Sequence, residues 1–362
     1  MKPSIANISM SHLKNSAAGL TVVFVAIFSS SAFSWGERGH DIVTRVAVQN
    51  LAVLSDGNLS LIKPFTKRDH MLSHLSNTPD IVWRAKYMSK QDRDSNYPTH
   101  FINLERVYQS VKSLDDLDLN YADYAKAARA KGIEDPASVG TAPWRVLQLQ
   151  RLMTKSLLRA SASESYDVRV EAINQALLYA GLMSHFVGDL ANPHHATANH
   201  NGQLTGNTGL HAYFESDVVG VLPLGLIAQT NAMLQPSLLK ATVLKEMNKQ
   251  QRATILSDPR LLIFSLVVNS QNNVERLTKL DNDYSLIEAS SDAKKSAIRE
   301  LPQDVAALFH GFITERLAIG AAVLSQLWLT AWEQAGKPDL SDYQSYDYAV
   351  KPDFIVPDYL VE

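Results

Sequence analysis

Residues 185–199 read HFVGDLANPHHATAN, which combines helix-forming residues with side chains that bind metals. His185 and Asp189 are four residues apart, so they share one face of a predicted helix. An imidazole and a carboxylate on one face are a suitable pair of zinc ligands. Pro193 restricts the residue before it and is predicted to end the helix. The resulting turn would let His195 reach a second metal.

A second pair of the same kind follows. His211 and Glu215 are four residues apart at the start of another predicted helix, GLHAYFESDVV, residues 209–219. Asp217 is the rival carboxylate, but its spacing of six from His211 turns it off that helix face. One such pair on a helix is usually a surface or core contact. Two pairs with His195 between them favour metal binding, although the spacing alone leaves both interpretations open.

Helical periodicity dominates the rest of the chain and predicts an all-α fold. Alternating strand patterns are scarce, and residues 86–142 are predicted to be a loop-rich insertion with short helices. Residues 317–332 are predicted to be a buried core helix, because polar side chains interrupt a segment short for a membrane span. The tail, residues 336–362, is predicted to wrap the surface in extended form or to be disordered. The longer predicted helices are 41–54, 144–159, 168–190, 211–219, 261–277 and 303–334.

The composition is that of an ordinary globular protein. The chain has 362 residues, of which 46% are hydrophobic and 20% charged, and its net charge is -3 at pH 7. The chain has no excess of basic residues that would indicate a nucleic-acid binder, although a local basic patch would not show in the net charge. There is no cysteine to form disulfides, and the 11 histidines are the candidates for cross-linking the fold through metal.

The first 34 residues are predicted to be a cleaved signal peptide rather than part of the fold. Lys2 and Lys14 precede the apolar run AAGLTVVFVAIF, residues 17–28, which is shorter than the ~20 residues that span a bilayer. Small residues at Ala32 and Ser34 fit a cleavage site. An uncleaved membrane anchor is the alternative. The expected organisation is an exported protein, secreted or periplasmic, with a single compact domain at 35–335 before the tail.

The stretch 185–199 resembles the signature of the zinc-dependent phospholipases C and of their relatives, the zinc-dependent single-strand nucleases. In that signature a His, a Gly–Asp or Thr–Asp pair, a Pro, a second His and an Asn follow one another at fixed spacing. The departures are Phe186 where Tyr is usual, Ala191 at a small polar position and Ala198 at the final Asn position. Asn199 comes one residue late.

Other segments carry the same resemblance, which spans residues 35–219. The mature chains of this family begin with Trp, and Trp35 follows the predicted cleavage site directly in WGERGH, which ends at His40. Asp80 in SNTPDIVWR and His100 in YPTHFINL are similar to further ligands of the family. The resemblance implies a mostly helical domain with the metals in a surface cleft.

The resemblance also implies three Zn²⁺ ions and the role of each ligand. Asp80 would in addition orient or deprotonate the attacking water, and Asn199 would fix the loop or the substrate. The implied first zinc is held by Asp80, His100, His185 and Asp189; the second by His195, His211 and Glu215; the third by the Trp35 backbone, His40 and a bridging Asp189. The histidines without a place in the pattern are expected at the surface or in the core: His70, His74, His194, His200 and His310.

The expected function is that of an exported zinc metallophospholipase C. It would hydrolyse the head-group phosphodiester of glycerophospholipids at a membrane surface, using water activated by metal. Glu215 and Ala196 favour this branch. The alternative is a zinc-dependent single-strand endonuclease of the 3'-nucleotidase type, with nucleic acid as its substrate. His40 five residues after Trp35, Phe186 and the string TGNTGLHAYFES favour the nuclease.

Two further expectations concern the same site. A nuclease needs aromatic platforms for bases, and the candidates are Tyr87, Tyr97, Tyr108, Tyr121 and Tyr124. A zinc-stabilised exported binding protein is the non-enzymatic alternative, and it requires metal sites closed by protein ligands. Because an amide nitrogen cannot bind zinc as a free amine does, the uncleaved precursor is expected to lack a complete third site.

Overall fold

The computed structural model describes residues 35–108, 111, 113–234, 238–245, 248–345 and 352–360. The predicted signal peptide lies outside these ranges. Helix accounts for 68% of the structure and strand for 2%, so the predicted all-α class is confirmed. The α-helices, numbered in chain order, are α1 (Gly36–Leu54), α2 (Leu59–Lys67), α3 (Asp69–Ser76), α4 (Thr78–Ile81), α5 (Lys90–Asn96), α6 (Tyr121–Ala130), α7 (Ala142–Ala162), α8 (Tyr166–Ala191), α9 (Leu210–Ala212), α10 (Val219–Val221), α11 (Leu226–Met233), α12 (Leu238–Ala241), α13 (Lys249–Ser257), α14 (Pro259–Gln271), α15 (Val274–Tyr284) and α16 (Pro302–Gln334).

Short elements connect these helices. Three of them, at 97–100, 193–196 and 213–218, carry predicted metal ligands. The 3-10 helices are Tyr97–His100, Leu104–Arg106, Leu114–Asp116, Pro136–Val139 and Pro193–Ala196, the π-helix is Tyr213–Val218, and the antiparallel strands are β1 (Leu286–Glu288) and β2 (Ile298–Arg299).

The long helices form the core around α8. This helix packs against α3, α7 and α16, while α1 packs along α16 and α3. Every residue of α8 from Ala180 to Ala191 is buried, so the His185–Asp189 pair lies inside the protein. The predicted site is therefore built on a fully enclosed segment of α8.

Helix α16 is long and apolar enough to cross a membrane by length and composition, and 72% of its most apolar window is buried inside the protein. The helical segments Leu210–Val221 and Leu226–Met233 are long and apolar enough to cross a membrane only if they are taken together, and they meet at an angle of 109°. The burial agrees with the prediction of a core helix, since Leu317, Trp328 and their neighbours pack against the other long helices.

Four predicted helices are confirmed as α1, α7, α8 and α16, with ends that shift by a few residues. The single helix predicted at 261–277 is wrong, because α14 ends at Gln271 and α15 begins at Val274. The Asn273 side chain donates to the Asn269 carbonyl (2.8 Å), a local bond that competes with helix continuation. The helix predicted at 211–219 is divided into α9, the π-helix and α10.

The described part of the tail, 336–345 and 352–360, contains no helix or strand and packs onto the domain. Trp83 donates its indole N–H to the carbonyl of Pro352 (3.1 Å), and the ring of Phe354 meets Trp83 edge-on at 5.3 Å. Gln148 of α7 donates to the Val356 carbonyl (2.7 Å). The segment 352–356 of the tail thus lies against α7 and the segment that follows α4.

Candidate metal centre

Four predicted ligands meet in a first group, with donor atoms from α4, α8 and the 3-10 helix at 97–100. The Nδ1 of His100 lies 3.0 Å from His185 Nε2, 3.1 Å from Asp189 Oδ2 and 3.7 Å from Asp80 Oδ1. His185 Nε2 lies 3.3 Å from Asp189 Oδ2 and 3.9 Å from Asp80 Oδ1. Ligands of tetrahedral zinc with bonds of about 2.0–2.1 Å would be separated by ~3.3 Å. His100, His185 and Asp189 have this spacing, and Asp80 lies slightly farther out.

The orientation of His185 is fixed from outside the group. Its Nδ1 lies 2.8 Å from the carbonyl oxygen of Ser76, at the end of α3. A carbonyl oxygen can only accept, so Nδ1 carries the proton and Nε2 presents its lone pair to His100 and Asp189. Such a bond on the far nitrogen is the usual support of a metal-binding histidine.

The second group consists of His195, His211 and Glu215. His211 Nε2 lies 2.9 Å from Glu215 Oε2 and 3.0 Å from His195 Nε2, and His195 Nε2 lies 3.7 Å from Glu215 Oε2. Nδ1 of His195 lies 2.6 Å from the His100 carbonyl, which fixes its tautomer in the same way. Glu215 is fully buried on the π-helix, whereas Asp217 is exposed, so the structure places Glu215 in the group.

The remaining two predicted ligands, His40 and Trp35, each contact a different group. His40 Nε2 lies 3.4 Å from Asp189 Oδ1, and the His40 ring stacks on that of His185 at 4.1 Å. The donor atoms of His40 also converge with those of Asp80 and His185. The backbone nitrogen of Trp35 instead donates to Glu215 Oε2 in the second group (2.9 Å). The resemblance had implied a group of Trp35, His40 and Asp189.

Burial sets the protonation of the groups. It lowers the pKa of His40, His100 and His185 well below the usual range, which favours the neutral imidazole that binds metal. Burial also raises the pKa of Asp189 well above the ordinary value, and the charges of nearby carboxylates add to this. A bound cation would stabilise the ionised form of this carboxylate.

Two other carboxylates respond differently. Burial raises the pKa of Asp80, although the guanidinium of Arg84, 3.0 Å away, acts in the opposite direction. Burial would likewise raise the pKa of Glu215, but His211 and His195 outweigh it and hold the pKa at about 2. Glu215 is therefore ionised at neutral pH.

The groups fit metal ions for two reasons: the type of their donor atoms, and the buried oxygen atoms that lack a hydrogen-bond partner. Imidazole nitrogens and carboxylate oxygens are the ligands of zinc and of other divalent metals. Oδ1 of Asp189 and Oε1 of Glu215 are buried and have no hydrogen-bond partner among the described residues. Buried charge requires a partner. These clusters of His, Asp and Glu could therefore hold metal ions.

A cavity of about 290 Å³ adjoins both groups. His195 and His211 of the second group and His100 of the first lie on its wall. The other lining residues are Arg84, Tyr97, Phe101, Asn103, Arg106, Ser138, His194 and His200. The second group has three side-chain ligands and faces this cavity, so a metal bound there would keep a position open.

Two histidines without a place in the sequence pattern, His194 and His200, lie at this cavity. His194 could have been found from the sequence, because it directly precedes the predicted ligand His195. By contrast, His70 and His74 are exposed, and His310 bonds to the Gln229 side chain, away from the groups.

Three other residues support the site from outside the groups of ligands. Arg84 could have been found from its spacing of four from Asp80. Asn192 donates to Glu215 Oε2 (2.9 Å), a contact that no sequence pattern indicated. Asn199 accepts from the Leu204 N–H (2.7 Å) and so fixes the loop.

No protein-family model matches the chain, and no curated protein matches it significantly. The resemblance to the zinc phospholipases and nucleases stays a prediction, which rests on the motifs at 35–40, 76–84, 97–104, 185–199 and 205–216. The structure adds that the predicted His, Asp and Glu ligands of those motifs are buried and lie in groups that could hold metal ions.

Proposed function

We propose that this chain is an exported zinc-dependent phospholipase C with a three-zinc site. The observation that carries the proposal is the second group, His195, His211 and Glu215, whose three donor atoms converge at the wall of a cavity. Structural zinc is closed by four protein ligands, whereas catalytic zinc keeps one position for water or substrate. This arrangement favours an enzyme over a zinc-stabilised binding protein.

The ligand sets support two of the zinc positions directly. Asp80, His100, His185 and Asp189 would hold the first ion, and the second group would hold another. The third ion would use His40 with a carboxylate of the first group, completed by the free amine of Trp35 after cleavage. Zinc at these positions would polarise a phosphodiester, neutralise its charge and lower the pKa of a coordinated water toward ~7.

The side chains around the ligands would position the reactants. Asp80 is the candidate for orienting or deprotonating the attacking water, because it lies at the edge of the first group and its Oδ1 is held by Arg84. Arg84 also lines the cavity, so its guanidinium can meet the phosphate oxygens there. His195 and His211 would fix the ion nearest to the cavity.

One observation favours the second candidate, a single-strand endonuclease. Tyr97 and Phe101 line the cavity, and their rings meet edge-on with centroids 5.4 Å apart, which would offer a platform for a base. Tyr121 and Tyr124 are buried in the core and cannot serve. We favour the phospholipase because Glu215 and Ala196 match that branch.

The test is a side-by-side hydrolysis assay on the mature chain beginning at Trp35. The substrates are vesicles of phosphatidylcholine, vesicles of phosphatidylglycerol and single-stranded DNA, each with and without a zinc chelator. Glu215→Gln is compared with Asp217→Asn, which changes an exposed carboxylate on the same π-helix. Chelator-sensitive release of head-group phosphate that is lost only in Glu215→Gln would support the proposal. Degradation of DNA alone would move the chain to the nuclease branch.

A further inference from the structure

The wall of the cavity beside the metal groups includes two side chains with a buried, unpartnered polar atom. Nδ1 of His194 and Oδ1 of Asn103 are buried and have no hydrogen-bond partner among the described residues. Both side chains are more than nine-tenths buried, and both belong to the wall of the cavity. Each of these polar atoms is shielded from water and lacks a partner, so each gains one if the wall adjusts around an occupant of the cavity.

The wall of the cavity is also cationic. Arg84 and the exposed Arg106 both line it, and no Asp or Glu is found among its described lining residues. Glu105, the neighbour of Arg106 in sequence, accepts a hydrogen bond from the Ala198 backbone (2.6 Å) instead. The wall therefore offers the guanidinium groups of Arg106 and of Arg84, the second of which is also paired with Asp80, and its described lining residues include no carboxylate.

These two features discriminate between lipid head groups. A trimethylammonium head group has no hydrogen-bond donor or acceptor for His194 or Asn103, and its charge is repelled by Arg106. A polyol head group offers hydroxyls that can donate and accept at each of these side chains. The rings of Tyr97 and Phe101 could attract a cation, but the guanidinium groups on the same wall oppose it.

We infer that this cavity binds the polyol head group of an anionic phospholipid, such as glycerol or inositol, in preference to choline. The inference rests on the proposed phospholipase activity and specifies its substrate. Arg106, Asn103 and His194 are the residues that select the head group, while the metal groups act on the phosphate.

The test measures kcat/KM of the zinc-loaded mature chain on dihexanoyl phosphatidylglycerol and dihexanoyl phosphatidylcholine, both dissolved as monomers. Monomers remove the attraction of a charged vesicle surface, so the comparison reports on the cavity alone. The variant is Arg106→Gln, which changes an exposed side chain and should fold. Lys155→Gln on α7 is the matched control, because it removes one exposed positive charge from a residue that does not line the cavity.

We expect the unmodified chain to prefer phosphatidylglycerol by at least about tenfold. Arg106→Gln should lose about fivefold or more on phosphatidylglycerol and less than about twofold on phosphatidylcholine. The control should stay within about twofold on both lipids. A preference for phosphatidylcholine, or an equal loss on both lipids in Arg106→Gln, overturns the inference and leaves the phospholipase proposal in place. Failure to hydrolyse either lipid, with DNA degraded, overturns both.

Discussion

The Nε2 atoms of His195 and His211 lie 3.0 Å apart, and each is also close to the same oxygen of Glu215. His195 carries its proton on Nδ1, which lies 2.6 Å from the His100 carbonyl. Its Nε2 therefore presents a lone pair to His211. Convergence of nitrogen and carboxylate lone pairs in a buried place is stabilised by a cation.

Removal of one of these ligands should therefore remove one metal ion. We expect His211→Asn to bind about one zinc fewer per chain and to lose activity by about 100-fold or more, because two side-chain ligands cannot hold the ion in place. Elemental analysis of the purified protein measures the metal, and the hydrolysis assay measures the loss. His70→Asn is the control, since His70 is exposed and outside the groups. Unchanged zinc content in His211→Asn would contradict the assignment of the second group.

Cleavage before Trp35 should control the completeness of the metal centre. In the chain that includes residue 34 the Trp35 nitrogen is a peptide amide, and it donates to Glu215 Oε2. A free α-amine has a pKa near ~7.7–8.0 and can lose its proton to bind metal. We expect a variant with one alanine inserted before Trp35 to bind less zinc and to be largely inactive.

The matched control for that experiment is the Trp35→Phe variant with the correct mature N-terminus. It keeps the free amine but loses the indole bond to the Gly188 carbonyl (2.6 Å) and part of the buried ring. This variant should retain the full zinc content that the alanine insertion loses. Full activity of the insertion variant would show that the amine has no role.

The pairs His185–Asp189 and His211–Glu215 could be predicted from sequence because a spacing of four is a local property of helices. The predicted end of the helix at Pro193 was equally local, and α8 ends at Ala191. The all-α class followed from periodicity alone. These features depend on neighbouring residues and need no knowledge of the tertiary structure.

Other parts of the site depend on contacts between distant segments. The place of His194 at the cavity depends on the path of the loop that follows it. Arg299 holds that loop, since it donates to the carbonyl of Asn207 (2.6 Å) from 92 residues away. The break between α14 and α15 was missed because the apolar pattern runs through both helices to Leu277, and a local asparagine bond interrupts it.

Without metal, the protein should lose stability as the pH falls below about 6.5, the ordinary pKa of histidine. Burial lowers the pKa of His40, His100, His185 and His194 in the folded chain, so the unfolded chain takes up protons first. Asp189 and Asp80 act in the opposite direction, because their raised pKa makes the folded chain bind protons more readily as the pH falls. The four histidines outnumber these two carboxylates, so a fall in pH should destabilise the folded, metal-free protein.

The measurement is urea unfolding of the chelator-treated protein between pH 7.5 and pH 5. His100→Asn removes one group that protonates only on unfolding, so the dependence of the free energy of unfolding on pH should become less steep by up to ~1.4 kcal/mol per pH unit. His70→Asn, at an exposed position, is the control. An unchanged pH dependence in His100→Asn would show that His100 protonates equally in both states.

A buried ion pair should hold the loop that leads to His211 of the second metal group. Arg299 binds Asp281 through two bonds, Nε to Oδ1 at 2.8 Å and Nη2 to Oδ2 at 2.9 Å, and both side chains are at most 5% exposed. The same guanidinium donates to the carbonyls of Asn207 and Thr208, in the loop that leads to His211. The pair therefore connects α15 and β2 to the position of a ligand.

Asp281→Asn leaves the Arg299 charge buried without its carboxylate, which should lower the free energy of unfolding by about 3–5 kcal/mol. The loop before His211 should loosen as well, so the variant should lose zinc from the second group at lower chelator concentration. Asp283→Asn on the same helix is the matched control, because its pair with Lys279 has the same 2.8 Å separation but is exposed. Exposed pairs contribute little, so that variant should unfold like the unmodified chain. If both variants lost equal stability, burial of the Arg299 pair would not be the cause. If Asp281→Asn lost stability but kept its zinc, the pair would stabilise the fold without positioning His211.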